Sequence, residues 1–273
     1  MIFMVLWYIS LFVYIRLMIK ILFEEHVKNM LERFGIVNKL LLLYLINRGE
    51  GRLREETRLQ KLVFLSERHM LGKRMRGFTY VFIKLLYGPY SRELARDLEN
   101  LDTLNYVDYS PGRGYFVTLR GKKILEKFSH VILQNKNFFE IIDDVIDKFS
   151  LKELKELLEY VYNFPRGIRK DVRKICFLPI GTIILARPIE KNYVDFVLSD
   201  EDYLRLSIYF DPDVLWIKTV RVLETEFLLV KYKGDRFISA FAPSRFGCVS
   251  QGETEEEAIR NIKEAILLYD EQK

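Results

Sequence analysis

Few side chains in this sequence are arranged for bond-making chemistry, and more are arranged for recognition. Arg92, Arg96 and Asn100 stand four residues apart, so on a helix they share one face. Arginine pairs bidentately with guanine and asparagine with adenine, which makes that face a candidate reader of duplex DNA. Arg113 lies between Gly112 and Gly114, at the tip of an expected hairpin. Glu93 and Asp97 interleave with the arginines. The competing reading is therefore a solvated helix face whose arginines pair with those acids, since phosphate binding wants uncompensated charge. The catalytic candidates are weaker. Glu255, Glu256 and Glu257 follow Thr254, and helix capping and the helix dipole account for them. Cys248 sits in an apolar run with no histidine close in sequence, which reads as a small buried residue rather than a nucleophile. His26, His69 and His130 are far apart and lack metal-ligand spacing. Cys176 and Cys248 make neither a disulfide framework nor a four-ligand zinc site, and the reducing cytoplasm suits them. No Gly-x-Gly-x-x-Gly, Walker loop, Gly-x-Ser-x-Gly or His-Glu-x-x-His occurs. Pro111-Gly112-Arg113-Gly114 is too short to cradle a phosphate. We expect no enzyme, no cofactor and no metal.

The elements that would position the basic residues read as follows. Residues 35–47 form a helix with Val37, Leu40, Leu41, Tyr44 and Leu45 as its stripe. A second helix covers Arg58 to Leu71 and ends at Gly72. Phe78 to Leu86 fits either a strand or a helix, and Gly88-Pro89-Tyr90 reads as a turn. Ser91 caps a third helix whose Leu94, Ala95, Leu98 and Leu101 face inward. Tyr106 to Tyr109 and Tyr115 to Thr118 flank the Pro111–Gly114 turn as two strands, and Leu119 to Val131 is one further helix. Three helices followed by a hairpin are the order of a winged helix-turn-helix, in which the third helix enters the major groove. Amphipathic helices follow at Phe138 to Phe149 and Leu151 to Tyr162.

Near the C-terminus, Phe227 to Lys231 and Phe237 to Ala242 flank Gly234-Asp235, a hairpin signal because glycine supplies the positive φ of a tight turn. Cys248-Val249-Ser250 reads as a short third strand. Thr254 then opens a helix with Glu257 placed to complete a capping box. Its Ala258, Ile259, Ile262, Ala265, Ile266 and Tyr269 lie on one face, against the small sheet. The Ala-Phe-Ala-Pro strand end, Gly-Cys-Val-Ser-Gln-Gly-Glu-Thr, and Glu-Glu-Ala-Ile-x-Asn-Ile-Lys-Glu-Ala-Ile resemble the HicB-like antitoxin family. The departure is Ser244-Arg245-Phe246, where that family usually has Asp-Leu-Pro-Gly. The resemblance implies a partial RNase H-like fold without catalysis and a partner, often a small HicA-type RNase toxin. Phe241, Arg245, Phe246 and Glu257 are the candidate partner-binding residues. A metal-dependent nuclease is the enzyme alternative. It needs carboxylates converging on two metal ions, and Phe227 to Lys231 contains none, with Glu226 only at its edge.

A second resemblance covers about residues 30–174. Arg58-Leu59-Gln60-Lys61-Leu62-Val63-Phe64-Leu65, Tyr87-Gly88-Pro89-Tyr90-Ser91-x-Glu93-Leu94 and Leu157-Leu158-x-Tyr160-Val161-Tyr162 are similar to the YwgA-like proteins and, more distantly, to Panacea or SocA-like antitoxin domains. Those domains neutralise toxins directly and need not bind DNA.

The charge distribution suggests two partners, the competing reading being ordinary surface charge. Glu24 to Lys174 carries 29 Lys and Arg against 21 Asp and Glu, whereas Phe177 to Lys273 carries 12 against 17. A basic half suits a polyanion and an acidic half a basic protein. Hydrophobic residues at 49% leave material for real cores. Met1 to Phe23 is strongly apolar, with Arg16 and Lys20 near its inner edge. It reads as a membrane anchor leaving the rest in the cytoplasm, as a packed helix, or as an over-called start. The expected class is α+β: an apolar segment (1–29), a winged-helix-like domain (30–174), a packed connector (175–220) and the HicB-like module (221–273). The expected function is a non-enzymatic antitoxin-like or regulatory protein. It would occlude a small basic RNase toxin and bind operator DNA, with homo-oligomer formation and membrane contact through residues 1–23 left open. The alternative is a stand-alone DNA- or RNA-binding regulator.

Overall fold

The computed structural model describes residues 29–163, 174–187, 192–222, 225–245 and 247–271. The chain forms two units, Met1–Gly35 and Ile36–Lys273. Of the first, only helical residues 29–35 are described, so the apolar segment 1–23 lies outside the description. Among the described residues no helix is long and apolar enough to cross a membrane. The second unit is α+β.

Helix α1 runs over residues 29–48, and from Ile36 onward its leucines enter the main core. Helix α2, Glu56–Gly72, is the best-buried element: Leu59, Leu62, Val63, Phe64 and Leu65 are fully enclosed. Burial extends to its polar residues, and Arg58, Gln60, Lys61, Ser66 and Glu67 each have a backbone partner. Arg58 donates from one guanidinium nitrogen to the carbonyls of Ser150 (3.1 Å) and Lys152 (2.6 Å). Gln60 grips Ser91 at both ends, accepting from its amide (3.0 Å) and donating to its carbonyl (3.1 Å). Lys61 donates to Pro89 O at 2.8 Å. Buried polar groups tolerate desolvation only when hydrogen-bonded. This helix therefore doubles as an internal brace, and the Arg-x-Gln-Lys run is explained by what it holds.

After α2 come strands β1 (Met75–Arg76), β2 (Phe82–Leu85) and β3 (Gly88–Tyr90). The pairing of Leu85 with Gly88 puts the tight turn at Leu86-Tyr87. Gly88-Pro89-Tyr90 is thus a strand, not the turn its composition suggests. Gly88 has φ +89°, which only glycine adopts freely. Phe78 to Leu86 resolves as an extended approach to β2. Helix α3, Arg92–Thr103, is capped by the Ser91 hydroxyl accepting from Leu94 N at 3.3 Å. Strands β4 (Val107–Ser110) and β5 (Gly114–Val117) form the expected hairpin. Leu119 to Val131 is two helices, α4 (Leu119–Lys127) and α5 (Ser129–Gln134), because the chain turns at the wholly buried Phe128. Helices α6 (Lys136–Phe149) and α7 (Leu154–Tyr162) follow. The helix–helix–helix–hairpin order is present, with β1 to β3 inserted between the second and third helices.

The stretch expected to be a connector is woven into both parts. Strand β6, Ile183–Leu185, pairs antiparallel with β2, and β7, Val194–Asp195, pairs parallel with β1. Asn135 fixes the next residues, donating to Val197 O (2.8 Å) and accepting from Val197 N (2.7 Å). Helix α8, Asp200–Tyr209, is capped by Ser199. Leu206 and the following Phe210 enter the main core, while Ile208 and Leu204 pack against a second sheet.

That sheet has the order β11–β10–β9–β8, from β8 (Val214–Val222), β9 (Thr225–Tyr232), β10 (Ile238–Phe241) and β11 (Val249–Gly252), all antiparallel. Its first strand crosses residue 220, the boundary placed by sequence. Helix α9, Glu255–Glu271, covers one face through Ala258, Ile262 and Ile266, while Ile208, Val214, Leu228 and Val230 cluster on the other. Alternate β9 residues serve both cores, as strand geometry requires. Thr254 Oγ1 accepts from Glu257 N (3.2 Å), and Glu257 accepts in return from Glu253 N (2.8 Å), one residue earlier than the usual box. Gly252 is obligatory at this junction: a Cβ there would lie 2.3 Å from Ala258 N.

Candidate functional site

The α3 face separates its charges. Arg92 and Arg96 are exposed and Asn100 is half-buried. Glu93 and Asp97 do not pair with those arginines. Glu93 accepts from Val81 N (3.0 Å) and from Arg187 (2.8 Å), and Asp97 accepts from the buried Tyr80 hydroxyl (2.9 Å). Burial lifts the Asp97 carboxyl to about 6, against the pull of Lys39, the Tyr80 bond and Arg96. Beside it, Glu67 is wholly buried and accepts from Tyr80 N at 3.2 Å. Its carboxyl is pushed well above the usual range by desolvation. The acids of α2 and α3 thus hold Tyr80 and Val81, while Asn38 and Arg187 hold the backbone of Thr79. Among the described residues Arg92 and Arg96 make no ion pair. Arg113 is committed elsewhere: its guanidinium pairs with Glu50 and stacks on the Phe116 ring at 4.0 Å. Lys122 also reaches Glu50, at 3.4 Å.

In the C-terminal sheet the expected partner residues serve the fold. Phe241 is half-buried against the α8 side of the sheet. Arg245 clamps Asp270 with two nitrogens, at 2.9 and 2.8 Å. Glu257 completes the cap of α9. Phe246 lies outside the described residues. Among its exposed residues this module also shows large apolar side chains: Phe237, Val249, Leu267 and Leu268. Glu255 is tied to Lys218 across to β8. Cys248 is buried, and desolvation raises its thiol pKa despite Arg245 nearby. Among the described residues no three His, Cys, Asp or Glu side chains stand where they could hold a metal ion.

A cavity of about 530 Å³ opens where the first turns of α2 meet the β2–β3 hairpin. Gln60 and Lys61 line it. The sequence reading gave neither residue a role of its own. Spacing gave no signal, because Thr57, Arg58 and Arg68 share the helical face of Lys61 with Phe64 and Leu65.

No family model matches the chain, and no solved structure matches it. One stretch of 30 residues is 70% identical to a UPF0150 protein of Helicobacter pylori strain J99. That stretch is 11% of this chain and spans 42% of the length of the curated relative it matches.

Proposed function

We propose that this chain is an antitoxin-like protein that acts by binding, its C-terminal sheet and α9 covering the RNA-binding surface of a small basic RNase. The observation that carries the reading is the 70% identity over 30 residues to a UPF0150 protein, a family associated with HicB antitoxins. Two features support it. The half of the chain from Phe177 is acidic, with 17 Asp and Glu against 12 Lys and Arg, which complements a basic partner. The four-stranded sheet with one helix on a face, β11–β10–β9–β8 with α9, suits a reduced RNase H-like module. Because Arg245 and Glu257 are committed internally, the contact is assigned to the exposed Leu267 and Leu268 of α9. The test is ribonuclease activity of a small basic toxin encoded beside this gene, with and without the full chain. Stoichiometric inhibition that is lost in Leu267→Asp/Leu268→Asp is expected. Undiminished cleavage at excess full chain, together with no co-elution, would reject the reading.

A second reading gives the winged-helix-like part an operator-binding role, and Arg92 and Arg96, which make no ion pair among the described residues, favour it. Duplex binding by the full chain should weaken steeply with salt, since each neutralised phosphate releases counterions.

A further inference from the structure

The cavity beside α2 is built differently from the surfaces considered above. Its volume, about 530 Å³, falls in the range of roughly 300–1,000 Å³ typical of small-molecule sites. Leu85, Leu86, Tyr87, Tyr90 and Ile180 supply apolar and aromatic wall. Three of these, Leu86, Tyr87 and Ile180, are more than half exposed, so the opening is apolar and aromatic too. The polar part is concentrated in one group. Lys61 is only 2% exposed, yet it borders the cavity. An ammonium carries three N–H donors. One is spent on Pro89 O at 2.8 Å, and no carboxylate comes within ion-pair distance of Lys61 among the described residues. Glu56, Thr57 and Gln60 are further polar residues of the lining, and Gln60 is saturated: both ends hold Ser91, and its amide also reaches Glu56 at 3.4 Å. The cavity thus presents a buried cation with donors to spare, in apolar surroundings. Desolvation draws the Lys61 pKa down to about 8, with Glu56 opposing in part. Glu56 offsets that charge without forming an ion pair with it, so the buried ammonium stays costly, and a ligand anion in direct contact would lower that cost.

We propose that this cavity binds a small organic carboxylate with an apolar body of about one ring, its carboxylate accepting from Lys61 and its body lying between Leu85, Tyr87, Tyr90 and Ile180. The rigid floor favours this. Lys61 is fixed by Pro89 and by its place on the most buried helix, so little ordering remains to be done on binding. A strongly charged ligand such as a diphosphate is disfavoured, because among the described residues Lys61 and Glu56 are the charged ones bordering the cavity, and they are of opposite sign.

The test is calorimetric titration of the full chain with benzoate, phenylacetate and hexanoate, and with benzamide as the uncharged isostere of benzoate. At least one carboxylate is expected to saturate one site, with benzamide at least tenfold weaker. Lys61→Met should lower carboxylate affinity at least tenfold. Because that change also removes the Pro89 bond, Ile180→Trp is the second variant. It narrows the mouth without touching Lys61 and should weaken binding while leaving the thermal midpoint of the free protein unchanged. No saturable binding by any of the carboxylates would overturn the proposal. So would equal affinity for benzoate and benzamide, or carboxylate binding unaffected by both variants. Neither result bears on toxin inhibition, which is read separately.

Discussion

Asp97→Asn should stabilise the protein at neutral pH, against the usual direction of a substitution in a hydrogen-bonded pair. Asp97 accepts from the Tyr80 hydroxyl at 2.9 Å, and burial lifts its pKa from 3.8 to about 6. Below the unfolded-state value of 3.8 both states hold the proton. Between there and about 6 the unfolded chain has released it while the native state keeps it. Above about 6 the native state carries a charge it disfavours. Stability from this group is therefore present at low pH and lost as pH rises through about 6. A shift of roughly two units, at about 1.36 kcal/mol each, sets an upper bound of about 3 kcal/mol. Partial exposure and the new amide N–H groups, which need partners, reduce the expected gain to about 1–2 kcal/mol. Asparagine keeps a carbonyl oxygen for Tyr80. Urea midpoints of wild type and variant, followed by circular dichroism at pH 4.5, 5.5, 6.5 and 7.5, give the difference. Glu67, Glu93, Lys39 and Arg96 are present in both proteins, and their contributions cancel to first order. The variant's advantage should grow from pH 4.5 to pH 7.5. A variant less stable than wild type at pH 7.5, or a difference that does not change with pH, would refute the argument.

Arg58→Met should cost about 2–4 kcal/mol, because it strips two buried carbonyls, Ser150 O and Lys152 O, of a charged donor. A thermal midpoint lowered by several degrees is the readout. Gly252→Ala forces a Cβ to within 2.3 Å of Ala258 N and should cost about 1–3 kcal/mol, measured in urea against Gly234→Ala, where a Cβ meets nothing but φ is +78°. If the full chain binds duplex DNA, Arg92→Ala and Arg96→Ala should each lower the slope of log affinity against log salt by about one, whereas Arg113→Ala, already paired with Glu50, should change it little.

Sequence alone determined the local events. The Ser91 and Thr254 caps, the hairpin about Gly234, the β4–β5 hairpin and the inward stripe of α9 all follow from turn and capping chemistry that acts over a few residues. They stand where spacing puts them. The α+β class follows from the same signals. Strand β8 was illegible because Val214 to Val222 lies on an edge and alternates weakly; only its pairing with β9 makes it a strand. Gly88-Pro89-Tyr90 has turn composition, yet β2 and the grip of Gln60 and Lys61 hold it extended. Tertiary structure also decided what the charged residues do. Glu93 and Asp97 turn inward to Val81 and Tyr80 and leave Arg92 and Arg96 outside. Arg113, Arg245 and Glu257 are spent on Glu50, Asp270 and a helix cap. Lys61 becomes the cation of a cavity. No spacing rule encodes these outcomes, because each partner is distant in sequence or belongs to the backbone, and burial alone makes the pairing obligatory.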